Sequence, residues 1–148
     1  MKIYIASDHA GVDLKTHIVS FLKDLTFEVT DIGPYSLDSV DYPDYAIKVA
    51  NSVASNECQM GVLICGTGLG MSYTANKVKG IRAANCTNEF MARMAKEHND
   101  ANILVLGARV IGLDLALSIT QVFFNTPFSK NIRHINRLKK ISNFEESC

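Results

Sequence analysis

Met60-Gly61-Val62-Leu63-Ile64-Cys65 runs straight into Gly66-Thr67-Gly68-Leu69-Gly70, and this stretch decides the fold class. A continuous apolar run with no polar alternation describes a strand covered on both faces, as in parallel sheets flanked by helices. The glycine-rich turn opens a helix that ends before Gly80. Upstream, Lys2 to Ser7 is a first strand, broken by Asp8 to Gly11. Val12, Leu14, Ile18, Phe21, Leu22 and Leu25 then repeat at helical spacing, leaving Asp13, Lys15, Lys23 and Asp24 to face water. Phe27 to Ile32 is a second strand, stopped by Gly33-Pro34. Residues 35–43 form a polar loop, and Asp44 caps a helix through Val53.

Downstream, Ile81 to Cys86 is the fourth strand, and Thr87 or Asn88 caps a helix holding Met91, Met94 and Ala95. Asn102 to Leu106 is the fifth strand, and Leu113 to Phe124 is a helix stopped by Asn125-Thr126-Pro127. A final helix covers Asn131 to Ile141, with residues 141–148 a frayed polar tail. Strands alternate with helices and no hairpin turn joins two strands. The expected fold is α/β: one Rossmann-like domain over residues 1–148, with a five-stranded, mostly parallel sheet between helices and an extra C-terminal helix.

The composition narrows the function classes. The 148 residues are 47% hydrophobic and 20% charged, enough for one core. Fifteen basic side chains balance fifteen acidic ones, which argues against nonspecific nucleic-acid binding. No apolar run approaches a membrane span, and the start shows no signal-peptide architecture. Four cysteines (Cys58, Cys65, Cys86 and Cys148) form no C-x-x-C pair and have no histidine at zinc-finger spacing. A cytoplasmic protein with reduced thiols is expected.

In such sheets ligands sit beyond the carboxyl ends of the strands. That rule selects Ser7-Asp8-His9, Cys65-Gly66-Thr67-Gly68, Asn85-Cys86 and Gly107-Ala108-Arg109. Cys65 ends a buried strand beside amides that favour negative charge, a setting that can populate a thiolate. Cys58, Cys86 and Cys148 lack that setting and read as inert. The glycine turn lets the backbone approach an anion. It is not a Walker A loop, because no Lys-Ser/Thr pair follows it. It is not a dinucleotide fingerprint, because residue 71 is Met and the next strand ends in Asn85-Cys86. It is not a phosphatase loop, which would need an arginine at residue 71.

His98 ends the fourth helix, where a protonated imidazole is favoured and a general acid is chemically suited. It equally fits a histidine that merely stops the helix. His9 follows Asp8 at a strand end, and His17 reads as a surface or packing residue. Arg133 and Arg137 share a helical face, and with Arg109 they could grip a phosphate. Neighbouring Lys130, Lys139 and Lys140 also allow a plain solvated basic face. No metal constellation and no cofactor motif is present. A thiol, a hydroxyl, an amide nest, an imidazole and arginines together suit proton transfer next to the carbonyl of a phosphorylated substrate.

These residues are recognisable. The chain resembles the type B ribose-5-phosphate isomerase family, which includes the galactose-6-phosphate and allose-6-phosphate isomerases. The resemblance runs from Ser7-Asp8-His9-Ala10-Gly11 to Arg133-His134-Ile135-Asn136-Arg137. It is carried most specifically by Asp41-Tyr42-Pro43, Ile64 to Gly70, Ala75-Asn76-Lys77, Gly80-Ile81-Arg82-Ala83 and His98-Asn99-Asp100. It implies interconversion of D-ribose 5-phosphate and D-ribulose 5-phosphate through an enediolate, in the pentose phosphate pathway, with no cofactor and no metal. Cys65 matches the base that moves the C2 proton, Thr67 the hydroxyl between O1 and O2, and His98 the ring-opening acid. Amides of Gly66, Gly68, Leu69 and Gly70 match the enediolate cradle. Asp8 and Asn99 match sugar-hydroxyl or ring-opening positions, and Tyr42 a pocket wall. His9, Arg109, Arg133 and Arg137 match the phosphate grip. The resemblance further implies a homodimer or dimer of dimers with sites built from two chains. One branch uses a glutamate just after the glycine turn; Met71 places this chain in the cysteine branch. Pro127 to Ile132 departs from the commoner glycine-containing spacer. A six-carbon sugar phosphate as substrate, or a non-catalytic sugar-phosphate or nucleotide sensor, are the alternatives.

Overall fold

Parity along three neighbouring strands divides the core in two. The computed structural model describes residues 1–147. In it β1 (Lys2–Ser7), β2 (Glu28–Asp31), β3 (Met60–Cys65), β4 (Ala83–Asn85) and β5 (Ile103–Gly107) form one sheet, ordered β2-β1-β3-β5-β4. Every neighbouring pair is parallel. Successive side chains on a strand point to opposite faces. Ile3, Ile5, Val62, Ile64, Leu104 and Leu106 therefore share one face, packed on Ile18 and Leu22 of α1 (Val12–Asp24) and Ile119 and Phe123 of α5 (Leu113–Asn125). Ala92 and Ala95 of α4 (Glu89–Glu97) close that side. Tyr4, Ala6, Leu63, Cys65, Ile103 and Val105 share the other face with α2 (Tyr42–Ala54) and α3 (Leu69–Ala75). Residue 65 is thus on the α2–α3 side by parity alone. Ser7 pairs with Ile64 and Cys65 with Gly107, so three strands end level at one edge.

Several boundaries differ from those expected. Helix α2 starts at Tyr42, with Asp41 in the cap position, and Asp44 lies in its first turn rather than capping it. Pro43 has no N–H to leave unpaired in a first turn, so the helix can begin around it. The fourth strand covers only Ala83–Asn85. Ahead of it the Arg82 N–H donates to Asn102 Oδ1 at 2.8 Å, and the Arg82 guanidinium donates to the Asp100 carbonyl at 2.8 Å. Side chains replace part of the ladder there. The tail expected to fray beyond Ile141 continues α6 (Ile132–Ser147), and Glu145 Oε2 accepts the Gly80 N–H at 3.2 Å. Cys148, expected to be inert, lies outside the described residues.

Lys15, expected to face water, is 1% exposed. Its Nζ donates to Asp31 Oδ1 at 2.6 Å and to the Pro34 carbonyl at 2.7 Å, and lies 4.9 Å from the Tyr35 ring centroid. Partners on three sides offset the desolvation that otherwise keeps an ammonium at the surface. Among the described residues, no helix is long and apolar enough to cross a membrane.

Candidate active site

The carboxyl edge of the sheet is built around Cys65. Its side chain is 4% exposed, and its Sγ accepts the Gly68 N–H at 3.1 Å. The turn reaches that geometry because Gly68 adopts φ +81°, a left-handed conformation that side-chain-bearing residues rarely take. Thr67 is exposed, and its Oγ1 accepts the Leu69 N–H at 3.3 Å. Gly66 is covered by Arg109: a Cβ there would stand 3.3 Å from Nη1. Backbone bonds fix this approach, from Ala108 N–H to the Cys65 carbonyl at 2.8 Å and from Arg109 N–H to the Gly66 carbonyl at 2.9 Å. Gly70 lies under the Tyr42 ring, which a Cβ would meet at 2.6 Å.

The end of β1 supplies the adjoining wall. Asp8 is buried, and its Oδ1 accepts the Ala10 N–H at 2.9 Å across the turn His9–Gly11. The Val40 N–H donates to His9 Nδ1 at 3.4 Å. With Nδ1 accepting, the ring proton stands on Nε2, free to donate to an anion. The structure thus brings Asp8, His9, Tyr42, Cys65, the glycine turn and Arg109 to one edge. Burial pushes the Cys58 thiol up and the Cys86 thiol up to about 12, so both stay protonated at neutral pH, in keeping with their inert reading.

The remaining expected residues lie at the opposite end. His98 caps the C-terminus of α4, just before β5 begins, with Nε2 3.8 Å from Glu97 Oε1. Its ring stacks on His134 with centroids 4.2 Å apart. His134 is buried, accepts or donates to Ser129 Oγ at 2.9 Å, and anchors the start of α6. Asn99, Arg133 and Arg137 are exposed beside this stack. Among the described residues, neither the Arg133 nor the Arg137 guanidinium has a hydrogen-bonded partner. Four residue steps of β5 separate this end from the level of Cys65, roughly 13 Å of strand.

Sequence reasoning missed the Lys15–Asp31 pair, for which only the approach of helix and loop is a signal. It also left two strand-end residues without a role. Ser7 Oγ and Asn85 Oδ1 are buried with no hydrogen-bond partner among the described residues. Among those residues no three His, Cys, Asp or Glu side chains converge as metal ligands would.

The model of the family described as Ribose/Galactose Isomerase matches residues 3–141. The chain is 42% identical over 145 residues to ribose-5-phosphate isomerase B of Escherichia coli, covering 98% of this chain and 97% of that protein. Its structure is similar to that of ribose-5-phosphate isomerase B of Clostridium thermocellum, with TM-score 0.97 and 56% identity over 99% of both chains. It is also similar to that of ribose-5-phosphate isomerase B of Mycoplasma genitalium, with TM-score 0.95 and 41% identity, covering 99% of this chain and 97% of that one. The Mycoplasma structure holds bound ribulose 5-phosphate.

Proposed function

The chain belongs to the ribose/galactose isomerase family, and we propose that it is a ribose-5-phosphate isomerase that interconverts D-ribose 5-phosphate and D-ribulose 5-phosphate. The observation that carries the mechanism is the Cys65 sulfur at the carboxyl edge with the Gly68 N–H on it at 3.1 Å. As thiolate, Cys65 takes the proton from C2 of the open-chain aldose. The electron pair moves into a C1–C2 double bond, and the O1 charge of the resulting enediolate falls to the amides of the glycine turn. The exposed Thr67 hydroxyl passes a proton between O2 and O1, and the Cys65 thiol returns its proton to C1. The base ends as it began, and no electron leaves the substrate.

The ring-opening acid comes from a second copy. Within one chain His98, Asn99, Arg133 and Arg137 stand at the far end of the strands from Cys65. An isologous dimer that sets the His98–His134 end of each copy over the glycine turn of the other completes two equal sites. Each site then holds Cys65, Thr67, Asp8, His9, Tyr42 and Arg109 of one copy. It also holds His98 (to protonate the ring oxygen), Asn99, Arg133 and Arg137 of the other. His9 and three arginines close on the phosphate by forked and single hydrogen bonds.

The test is an isomerase assay on the wild type and Cys65→Ala, with solvent deuterium exchange read at C2. Ribose, allose and galactose phosphates compete in the same assay, because the family spans both sugar lengths in its name. Loss of exchange in a folded Cys65→Ala protein is expected; normal turnover by that variant overturns the assignment of the base.

A further inference from the structure

The glycine turn is gripped from two sides, and only one side is backbone. Below it, Gly107 leaves room for the Thr67 peptide: a Cβ at residue 107 would stand 2.7 Å from the Thr67 carbonyl carbon and oxygen. Beside it stands Asn85, the last residue of the edge strand β4. Its Nδ2 donates to the Thr67 carbonyl at 3.3 Å. Its Oδ1 is buried without a conventional donor and faces the Gly68 Cα, where any Cβ would collide with it. A Cα–H of glycine is a weak donor to such an oxygen. The carboxamide therefore engages both residues of the turn, a donor on the Thr67 carbonyl and an acceptor against Gly68. The next group along the backbone is the Gly68 N–H on the Cys65 sulfur.

We propose that Asn85 is a positioning residue for the isomerase, holding the Thr67–Gly68 turn so that the Gly68 N–H stays aimed at Cys65 Sγ. This rests on the reading of Cys65 as base. Asn85 touches no position assigned to the phosphate, so its removal affects the chemical step rather than substrate capture. A leucine at residue 85 keeps the heavy-atom count and branching, is somewhat bulkier and loses both polar contacts; an alanine loses those contacts and volume as well.

The experiment compares wild type, Asn85→Leu, Asn85→Ala and Cys65→Ala for turnover and for amide hydrogen exchange at Gly68 followed by NMR. With the turn released, both Asn85 variants are expected to lose about 10- to 100-fold in kcat. KM should hold, and the Gly68 amide should exchange faster while the core amides of β3 and β5 stay protected. An Asn85→Leu protein with wild-type kcat and wild-type Gly68 exchange overturns the proposal, even if Asn85→Ala is impaired, since packing alone would then account for the residue. The Gly68 exchange readout is independent of the chemistry. If Cys65→Ala turns over normally while both Asn85 variants free the Gly68 amide, the base assignment falls and the positioning stands.

Discussion

Lys15 Nζ lies 2.6 Å from Asp31 Oδ1, and the two ends of this ion pair are unequally buried, at 1% and 26% side-chain exposure. The inequality makes the pair asymmetric to mutation. Asp31→Ala strands an ammonium away from water, which costs about 3–5 kcal/mol. Lys15→Met leaves a carboxylate that water already reaches and fills the space with an unbranched apolar chain, so it costs less than half as much. Urea denaturation of the two variants checks the order; equal losses would contradict it.

The chemistry is expected to depend on one thiol among the buried ones. Cys65→Ala should lose about 10²- to 10⁴-fold in kcat, the usual worth of a positioned base. Cys86→Ala should retain turnover, because burial holds that thiol protonated, with its pKa pushed up to about 12. Iodoacetamide should inactivate the wild type by labelling Cys65, with protection by ribose 5-phosphate. Site-resolved peptide mass spectrometry distinguishes labelling there from labelling at Cys86.

The proposed sharing of each site between two copies predicts complementation. Cys65→Ala and the double variant Arg133→Ala/Arg137→Ala should each be inactive alone. In a heterodimer of the two, one site carries both defects and the other carries neither. Random reassortment of equal amounts makes half the dimers mixed, so roughly a quarter of wild-type activity returns. No recovery after verified subunit exchange would show that both halves of a site come from one chain.

His134 makes stability pH-dependent with a definite sign. Burial holds its pKa below the ordinary 6.5, with the nearby His98, Arg133 and Arg137 acting in the same direction and Glu97 opposing. Well above pH 6.5 the ring is neutral in both folded and unfolded chains and contributes no slope. As pH falls below that value the unfolded chain takes up the proton first, so stability declines until the folded ring protonates too. Thermal melts from pH 7.5 down to about 5 should show a decline that His134→Gln weakens; parallel curves would remove this residue as the cause.

Much of the fold could be read along the chain. Met60 to Cys65 is continuously apolar because β3 is the middle strand and is covered twice. Asn88 caps α4 through a side-chain bond from the Met91 N–H at 2.9 Å, a pairing that residue type signals. Cys65, His9 and Arg109, which the strand-end rule selected, lie together at the carboxyl edge of the sheet. Lys15 escaped because helical periodicity counts an ammonium as a surface group, and only the crossing of α1 beneath residues 31–35 supplies its partners. The tail escaped because its polarity looks like fraying, whereas Glu145 finds the Gly80 N–H far away in sequence.

The order of strands and helices, the parity that turns Cys65 toward α3, and the glycines of its turn are local properties, and periodicity and backbone sterics were enough to determine them. That His98, Arg133 and Arg137 stand a strand's length from the Cys65 of their own chain was decided only in three dimensions. A parallel strand must send its chain back to the starting edge before the next strand begins. The residues ending α4 therefore lie at the opposite edge from those ending β3.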